Sequence, residues 1–361
     1  MAKKGVKSLL VQLIAGANIV TVVGLLATGY SYLIDPEKVS MACTWGLVFP
    51  LFLLLNTLFL VFWLFVYPRK AWIPILAFIL SYFPVRTYMG LNFPKDVPDD
   101  ALKVMTYNVL GFHGLPGEEL ERDENAIVEY LCEEDCDIIC MQEANESWLS
   151  EGCRNRLEKK YPYHHADGRA GNYIAIYSKH KILKSENIEY QSLANLSLAY
   201  TMQIGDSLVT VINNHLETNN LSLSDREKFH DMVKGHMNRD SLRSQSLTLK
   251  DKLTESALIR VPEAKAVAKY IEEHKDDKII LLGDFNDNPI SYTHYTIAKH
   301  LTDCFISSGT GFGWSFSDNG MRVRIDNIMC SDDFVPVKCF VDTRYKLSDH
   351  FPLVCWLKKA P

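Results

Sequence analysis

Acids, amides and imidazoles stand repeatedly in this sequence at the points where apolar stretches end. The residues in this position are Asn108, Glu143, His215, Asp284, Asn286, Asp326, Asp349 and His350. Each of them taken alone could be a turn or cap residue. A carboxylate buried without a cation or hydrogen-bond partner costs several kcal/mol, so a repeated pattern of this kind needs a common reason. The sequence therefore predicts one polar site shared by several strand ends.

The residue types in this set suit a hard cation and chemistry at phosphorus. Carboxylate and amide oxygens favour Mg²⁺, with Mn²⁺ as the alternative, over zinc. Imidazoles held by carboxylates can transfer protons or position a phosphate near neutral pH. A hard cation with a positioned water is the usual equipment for attack on a phosphate ester. The sequence contains no GxxxxGK[ST], GxSxG or HExxH motif, which disfavours P-loop hydrolysis, acyl transfer and zinc proteolysis.

The apolar stretches that precede these residues alternate with helical patterns. "LKVMTYNV" and "DIICMQE" are predicted strands, with a helix between them from about residue 118 to 133. A second helix, near 146 to 160, is predicted after "DIICMQE". Hairpin-like strands follow, and later strands end at "GDFN" and "RID". This order of βαβ units and hairpins fits two packed sheets with helices outside better than one open sheet.

Six short motifs carry a family resemblance. "TYNV", "MQE", "NHLE", "GDFND", "RIDNI" and "SDHFPL" occur in this order between about residues 101 and 358. Together they resemble the endonuclease/exonuclease/phosphatase superfamily, which includes deoxyribonuclease I, apurinic endonucleases, inositol polyphosphate 5-phosphatases and neutral sphingomyelinases. The resemblance implies an α/β fold of the four-layer α/β/β/α sandwich type, with its site at one edge of the two sheets.

The resemblance also implies roles for the acids and amides. Glu143 would be the principal metal ligand, and Asn108 and Asp349 would complete the cation site directly or through water. Asp284 would orient or deprotonate the attacking water. Asn286 would hold that water or a phosphate oxygen.

The imidazoles receive roles in the same way. His350 would contact the scissile phosphate, with Asp326 fixing its tautomer. His215 would stabilise the charge on phosphorus or assist the leaving oxygen. Two neighbours stay open: Asn172 could line the site or occupy a turn, and Glu217 could orient His215 or be exposed.

Two aromatic residues and one long polar stretch also have alternative interpretations. Trp314 and Phe316 lie in a Gly-rich loop that could be a substrate platform or a packed loop. Residues 219–252 form the longest polar region of mixed charge. They could be a surface excursion beside the site or a solvated helical insertion.

The first 91 residues differ in composition from the rest, because residues 8–91 are almost free of charge. Segments 8–34 and 41–67 are long enough to cross a bilayer. Segment 71–91 is long enough only as a whole, and its alternative is a re-entrant or interfacial helix. A cleaved signal peptide is disfavoured for the first segment, which is too long and is followed by a second. We expect a transmembrane anchor at 1–91, a linker at 92–100 and a catalytic domain at 101–361.

The flanking charges predict the orientation of the anchor. "AKKGVK" and "PRK" (68–70) are basic and fit the cytoplasmic ends of the spans. A third crossing then makes the catalytic domain extracytoplasmic, and a third segment that does not cross leaves it in the cytoplasm. We expect a multi-pass membrane protein with an extracytoplasmic catalytic domain. The nine cysteines form no CxxC pair and are predicted to be packed free thiols.

The predicted function is a membrane-anchored, Mg²⁺-dependent phosphoesterase of the phosphodiesterase or nuclease type. The chain has 38 Lys and Arg against 44 Asp and Glu, which argues against a dedicated nucleic-acid coat. Three substrate classes stay open: nucleic acid, a phospholipid or sphingolipid head group, and an inositol phosphate. A non-catalytic binding module is the alternative from another class, but it should have lost an acid or imidazole from the set. The other expected partner is the lipid bilayer, and no protein partner is predicted.

Overall fold

The computed structural model describes residues 2–93 and 95–360. Ten α-helices lie in the described residues. They are α1 (Ala2–Gly29), α2 (Phe49–Val66), α3 (Trp72–Leu80), α4 (Tyr82–Tyr88), α5 (Ala126–Glu134), α6 (Glu151–Lys160), α7 (Leu223–Val233), α8 (Arg239–Glu273), α9 (Tyr292–Ala298) and α10 (Cys304–Ser308). A long 3-10 helix, Ser40–Val48, leads into α2.

Two mixed sheets of six strands carry the rest of the fold. The first contains, in spatial order, β12 (Thr302–Asp303), β16 (Asp326–Cys330), β11 (Ile279–Asp284), β10 (Ser207–His215), β9 (Leu196–Ile204) and β8 (Lys181–Asn187). The second contains β17 (Phe334–Val341), β18 (Leu353–Lys359), β2 (Leu102–Asn108), β5 (Ile138–Gln142), β7 (Asn172–Ser178) and β6 (Tyr163–Arg169). Three ribbons pair β1 (Gly90–Leu91) with β13 (Thr310–Gly311), β3 (Gly114–Leu115) with β4 (Glu118–Glu119), and β14 (Phe316–Asp318) with β15 (Met321–Val323).

Three apolar clusters hold these elements in four layers. The cluster between the two sheets includes Val104 and Val211. A second cluster packs α5 and α6 on the second sheet through Leu131 and Leu157. A third packs α8 on the first sheet through Val267. Because the central strands are covered on both faces, they are apolar along most of their length. The four-layer α/β/β/α sandwich predicted from the sequence is confirmed.

Strand direction brings the polar strand ends to one edge of the sandwich. β2 and β5 are parallel, with Asn108 opposite Gln142, and β10 and β11 are parallel, with His215 opposite Asp284. β16 runs antiparallel to β11 and begins beside its end, where Asp326 lies opposite Asp284. The ends of strands from both sheets therefore meet.

The helix predicted from about residue 118 begins later than expected. Residues 114–119 instead form the β3–β4 hairpin around Pro116 and Gly117, whose φ of 82° suits the turn. α5 begins only at Ala126, where the Asn125 side chain accepts from the backbone N–H of Ile127 at 3.2 Å. The charged residues before Asn125 belong to a hairpin and loop, so a charge pattern alone placed the helix start wrongly.

The N-terminal region forms a helical bundle. Two stretches are long and apolar enough to span a membrane, Leu9–Gly29 and Ser40–Val66, with mean hydropathies of 2.2 and 2.4. Buried amide side chains join them: Trp63 Nε1 donates to Asn18 Oδ1 at 3.0 Å, and Asn56 Nδ2 donates to the carbonyl oxygen of Thr21 at 2.9 Å. Such bonds satisfy polar groups that lipid cannot.

The third apolar segment is broken rather than continuous. Pro68–Leu80 and Tyr82–Tyr88 meet at an angle of 65° and would make a third span only if taken together. Pro84 has no backbone N–H to donate to the carbonyl oxygen of Leu80. The hydroxyl of Tyr30 donates to that oxygen instead, at 2.7 Å. The proline thus explains the break, and Tyr30, the residue after α1, compensates for the lost bond.

The helical bundle is docked directly on the sandwich. Ile290, in the loop that follows Asn286, packs with Leu25, Phe49 and Ala77 of the bundle. Nearby, β1 pairs with β13. The docking surface therefore begins within four residues of a predicted site residue.

Candidate active site

Asp284 lies where the two sheets meet and contacts residues from both. Asn108, at the end of β2, donates through Nδ2 to Oδ2 of Asp284 at 3.2 Å and to Oε1 of Glu143 at 3.0 Å. Gly283, just before Asp284, allows the backbones of β10 and β11 to lie close together. A Cβ at that position would lie 2.1 Å from the carbonyl oxygen of Asn214. The position of Asp284 is therefore set both by the close backbone packing at Gly283 and by the side-chain contact with Asn108.

His350 and Asp326 form a buried ion pair beside Asp284. His350 Nδ1 lies 2.8 Å from Asp326 Oδ2, and His350 Nε2 lies 3.7 Å from Asp284 Oδ2. Burial favours the neutral ring, but the charges of Asp326 and Asp284 outweigh it and raise the pKa of His350 to about 10. Burial, together with the charge of Asp326, raises the pKa of Asp284 to about 7. His350 is therefore an imidazolium at neutral pH, beside a carboxyl group that can take up a proton there.

His215 faces the same carboxylate from the other side and is neutral. Its Nδ1 lies 3.0 Å from Nδ2 of Asn172, and its Nε2 lies 3.9 Å from both Asp284 Oδ2 and Glu143 Oε1. Burial and the charge of His350 lower the pKa of His215 to about 3. Nε2 has no hydrogen-bond partner among the described residues. The site thus has one charged and one neutral imidazole, with different chemistry available to each.

Asp349 is buried and is paired with an arginine. Oδ2 of Asp349 accepts from Arg226 Nη1 at 3.2 Å, and the same guanidinium donates to Asp318 at 2.9 Å. The Ser348 hydroxyl donates to the carbonyl oxygen of Asn108 at 2.9 Å, which ties this loop to the end of β2. Arg226 comes from α7 in the 219–252 stretch. Sequence reasoning did not single it out.

A start signal for α7 was present in the sequence. Ser222 and Asp225 form a capping box, in which each side chain bonds the backbone N–H of the other residue. This pattern places Arg226 in the first turn of a helix. It gives no indication that the helix packs beside Asp349, because the two residues are 123 positions apart.

The backbone is strained at two of the predicted residues. Glu143 and Asn286 both have a φ of 52°, in the left-handed region that only a few per cent of residues other than glycine occupy. Asn286 is held there by its backbone N–H, which donates to Asp284 Oδ1 at 2.8 Å, and by its Nδ2, which donates to the carbonyl oxygen of Leu216 at 3.0 Å. Strain of this kind persists only where surrounding contacts enforce it.

All eight predicted residues therefore converge on one edge, and their oxygen donors fit a hard cation. Glu143 and Asp349 offer carboxylate oxygens and no sulfur. Asn108 faces Glu143 with its Nδ2, and its Oδ1 accepts from the backbone N–H of Leu110 at 3.2 Å. Burial raises the pKa of Glu143, so its ionised form gains from a nearby positive charge. Asp284, Asp326 and His350 also bring ligand atoms within 4.8 Å of one another. His350 is engaged with Asp326 there, and a protonated ring cannot bind a metal. The individual roles stay predictions.

A cleft of about 770 Å³ opens from Glu143 and His215 along the site edge. Asn172, Asn195 and Glu217 line it, together with the loop that contains the β3–β4 hairpin. Glu217 is buried and its Oε1 accepts from Asn220 at 3.0 Å, while the described partner of the His215 ring is Asn172. The volume is that of a small-molecule site.

The two aromatic residues left open in the sequence are both packed. Phe316 is buried and meets the His350 ring edge-on at 5.1 Å. Trp314 stacks on Phe312 at 5.0 Å, and Phe312 in turn contacts Tyr88 of α4. The loop therefore supports His350 at one end and the helical bundle at the other.

Comparison with known proteins agrees with this geometry. Residues 105–350 match the endonuclease/exonuclease/phosphatase family, and residues 11–88 match a domain of unknown function, DUF8431. No curated protein matches the chain.

Three solved structures share the fold, each with a TM-score of 0.50. An endonuclease/exonuclease/phosphatase family protein from Bacteroides thetaiotaomicron is 16% identical and covers 74% of this chain and 100% of its own. The mannosyl-6-phosphatase Bt3783 of the same organism is 17% identical, with coverages of 71% and 99%. D. rerio TDP2 complexed with single strand DNA product is 16% identical, with coverages of 72% and 100%. The family match covers every predicted site residue and the sandwich apart from β18 and the first residues of β2. The chain belongs to the endonuclease/exonuclease/phosphatase family and is a metal-dependent hydrolase of phosphate ester bonds.

Proposed function

We propose that this protein is a membrane-anchored, Mg²⁺-dependent phosphoesterase that attacks its substrate with water. The observation that carries the proposal is the position of Asp284. Its Oδ2 lies within 3.9 Å of Asn108 Nδ2, His215 Nε2 and His350 Nε2. A carboxylate flanked by an amide, a neutral imidazole and an imidazolium can accept a proton from water while the neighbouring groups hydrogen-bond a phosphate.

Glu143, Asn108 and Asp349 would hold the Mg²⁺, and Mn²⁺ suits the same oxygen donors. When bound, the cation supplies charge neutralisation at the phosphoryl oxygens and binding energy for water. Arg226 contributes further positive charge at Asp349, 3.2 Å away. The chain's own acids and imidazoles then perform the proton transfers.

Asp284 orients the attacking water and takes up its proton, with Asn286 fixing the Oδ1 oxygen through a backbone N–H at 2.8 Å. A pKa of about 7 makes this carboxylate basic enough to accept a proton near neutral pH. His350 donates from Nε2 to a phosphoryl oxygen, while Asp326 fixes the ring through Nδ1. Preorganised donors of this kind stabilise charge as it develops on the transferred group. His215, neutral and free at Nε2, hydrogen-bonds the leaving oxygen or an equatorial oxygen.

The membrane part of the proposal takes residues 1–91 as the anchor, 92–100 as the linker and 101–361 as the catalytic domain. α3 packs against the other two helices, with Ile73 in the cluster of Ala15 and Trp63, and Ala77 near Leu25. This supports three crossings. The sandwich lies at the end of the bundle opposite the basic turn Pro68–Lys70. With that turn in the cytoplasm, the catalytic domain is extracytoplasmic.

The structural neighbours support the ester class rather than a particular substrate. One is named for a phosphorylated sugar and another was solved with a DNA product. Both compounds are phosphate esters, and their differences leave the substrate to be argued from the cleft of this chain.

Hydrolysis of generic esters by the full-length protein in lipid nanodiscs tests the proposal. p-Nitrophenyl phosphate and bis(p-nitrophenyl) phosphate would be assayed with Mg²⁺, Mn²⁺ or EDTA. We expect metal-dependent turnover that Asp284→Asn and His350→Ala abolish. The matched control is Asp206→Asn, since Asp206 is an exposed acid in the β9–β10 turn at the opposite end of β10. Turnover that persists in EDTA, or that both site variants retain, would overturn the proposal.

A further inference from the structure

We propose that the cleft selects a water-soluble phosphate ester whose remaining part is uncharged and bears hydroxyl groups, such as a sugar or polyol phosphate, and that it disfavours polyanions. This inference rests on the proposed function, because it names the substrate class of the same site. Charge, hydrogen-bonding groups and the position of the anchor each support it.

The charge of the cleft walls is the first argument. Among the described residues that line the cleft, three are acidic, Glu119, Glu143 and Glu217, and none is Lys or Arg. Cations on α7 and α8 near this edge are already engaged: Arg226 with Asp318 and Asp349, and Lys252 with Asp225 at 2.6 Å. Arg260 of α8 donates through Nη1 to the carbonyl oxygen of Glu217 at 2.7 Å, and its Nε lies 3.7 Å from Asp287. A nucleic-acid strand or an inositol polyphosphate needs cations along its further phosphates. A bound Mg²⁺ would serve the reacting phosphate and leave additional phosphates facing carboxylates.

The polar groups of the cleft suit hydroxyls. Asn195 is 2% exposed, and its Oδ1 accepts from Asn172 Nδ2 at 2.9 Å. Its own Nδ2 has no partner among the described residues, although it is buried in the wall of the cleft. An unpartnered buried amide is costly, so Asn195 holds an unused donor beside the cleft. Glu217 and Asn145, also in the lining, add an acceptor and a second amide.

Apolar side chains also line the cleft. Leu110, Leu115, Pro116, Tyr173 and Leu193 all line the cleft. Leu193 is 74% exposed and Tyr173 is 38% exposed, so both leave apolar surface open to a ligand. A cleft lined by amides, carboxylates and carbon surface together matches a polyol ring, which has hydroxyl edges and C–H faces.

The outer wall of the cleft lies away from the anchor. It comes from the β6–β7 turn and the β8–β9 loop, at the edge of the two sheets that β6 and β8 form. The anchor packs instead on α8, on Ile290 after β11 and, through β1, on α10. The outer end of the cleft is therefore open to a soluble substrate.

A panel assayed with the full-length protein in nanodiscs tests the inference. The panel would contain hexose 6-phosphates, glycerol 3-phosphate, inositol 1,4,5-trisphosphate, single-stranded DNA and phosphatidylglycerol vesicles, each with Mg²⁺. We expect kcat/KM for the best sugar or polyol phosphate to exceed that for the trisphosphate and the DNA by at least about tenfold, because each extra phosphate faces an acidic wall. A preference for either polyanion, or for the vesicles, would overturn the inference.

A charge placed in the cleft gives the sharper comparison. Leu193→Lys adds a cation to the exposed wall and should reduce the preference over the trisphosphate by about tenfold, in a salt-dependent way. Leu208→Lys is the matched control, since Leu208 is 58% exposed near the start of β10, at the opposite end of the first sheet. An equal effect of both substitutions, or none at Leu193, would contradict the assignment of the cleft.

Binding separates this inference from the proposed function. Dissociation constants of the same compounds for the Asp284→Asn protein, measured by isothermal titration, do not depend on turnover. If the wild-type protein hydrolyses no generic ester but still binds the sugar phosphates most tightly, the proposed function is overturned while the ligand preference of the cleft stands. Tighter binding of the trisphosphate or DNA than of the sugar phosphates would overturn the substrate class while leaving the phosphoesterase in place.

Discussion

Asn108 Nδ2 lies 3.2 Å from Asp284 Oδ2, and this contact joins strand ends that belong to different sheets. The two residues are 176 positions apart in the chain. The same amide group also contacts Glu143 at 3.0 Å, so one side chain links the predicted metal ligand to the predicted base. The site depends on how the two sheets pack together, and each prediction below perturbs one part of that arrangement.

Asp326→Asn should remove the charge that keeps His350 protonated. The pKa of His350 is about 10 because Asp326 and Asp284 outweigh the effect of burial, so the variant should lose imidazolium at a lower pH. We expect kcat to fall by about 10²–10⁴-fold and the alkaline limb of the pH–rate profile to move to lower pH. Asp332→Asn, just beyond the other end of β16, is the control. An unshifted alkaline limb would show that deprotonation of His350 is not what lowers the rate at high pH.

Glu143→Gln should weaken metal binding more than it disturbs the fold. The substitution keeps the shape and removes the charge that a cation needs, so half-maximal activity should require at least about tenfold more Mg²⁺. Mn²⁺ binding followed by electron paramagnetic resonance provides a readout without turnover. Glu118→Gln, exposed in the β3–β4 hairpin, serves as the control. Unchanged Mn²⁺ affinity would show that Glu143 is not a ligand of the cation.

Gly46→Ala should loosen the contact between the bundle and the sandwich. A Cβ at Gly46 would lie 2.1 Å from the carbonyl oxygen of Ile290, so one of the two segments must move. Overpacking of this kind costs about 1–3 kcal/mol. Faster hydrogen exchange in residues 286–290 is the expected result, together with lower kcat, because this loop continues from Asp284.

Gly16→Ala is the matched control for that substitution, because a Cβ at Gly16 meets nothing within 4 Å. It should leave exchange in the loop at the wild-type rate. If Gly46→Ala also leaves the rate unchanged, the docking of Ile290 on the bundle is not the contact that holds this loop.

Glu263→Gln should remove part of the pH dependence of stability. Burial raises the pKa of Glu263 from 4.5 to about 7, and its Oε1 has no partner among the described residues. The folded state therefore binds the proton more tightly than the unfolded state. The contribution of this proton to the free energy of unfolding is present in full below about pH 4.5 and is lost as the pH rises through about 7. It amounts to at most roughly 3 kcal/mol.

The measurement for Glu263 is chemical unfolding at pH 5 and pH 8. The glutamine variant should lose less stability over this interval than the wild-type protein. Glu255→Gln, an exposed position on the same helix, should follow the wild type. A variant that loses as much stability as the wild type would show that Glu263 does not titrate in this range.

The sequence indicated a shared edge because each candidate residue lies at the end of an apolar strand or within a few residues of one. The ends of parallel neighbours lie at the same edge of a sheet, and His215 and Asp284, the last residues of β10 and β11, accordingly lie side by side. The four-layer arrangement was implied by the family resemblance of the six motifs. These inferences depend on local pattern and on the geometry of sheets, which do not change with distant contacts.

Contacts made by inserted or irregular segments could not be predicted in this way. Arg226 reaches Asp349 across 123 positions, and Asn195 lies in a loop whose sequence has no periodic pattern. The approach of Gly46 to Ile290 depends on how two separately folded regions dock. In each case the partner is chosen by tertiary packing, and no spacing in the sequence records it.

Hydrolysis in water enriched in oxygen-18 tests the central claim most directly, namely that the Asp284 site delivers water to phosphorus. The full-length protein would hydrolyse bis(p-nitrophenyl) phosphate with Mg²⁺, alongside the Asp284→Asn variant, and mass spectrometry would locate the label. We predict one labelled oxygen in the phosphate product for each bond cleaved, none in p-nitrophenol, and no product from the variant. Label in p-nitrophenol, or labelled phosphate formed at the same rate by Asp284→Asn, would contradict the account.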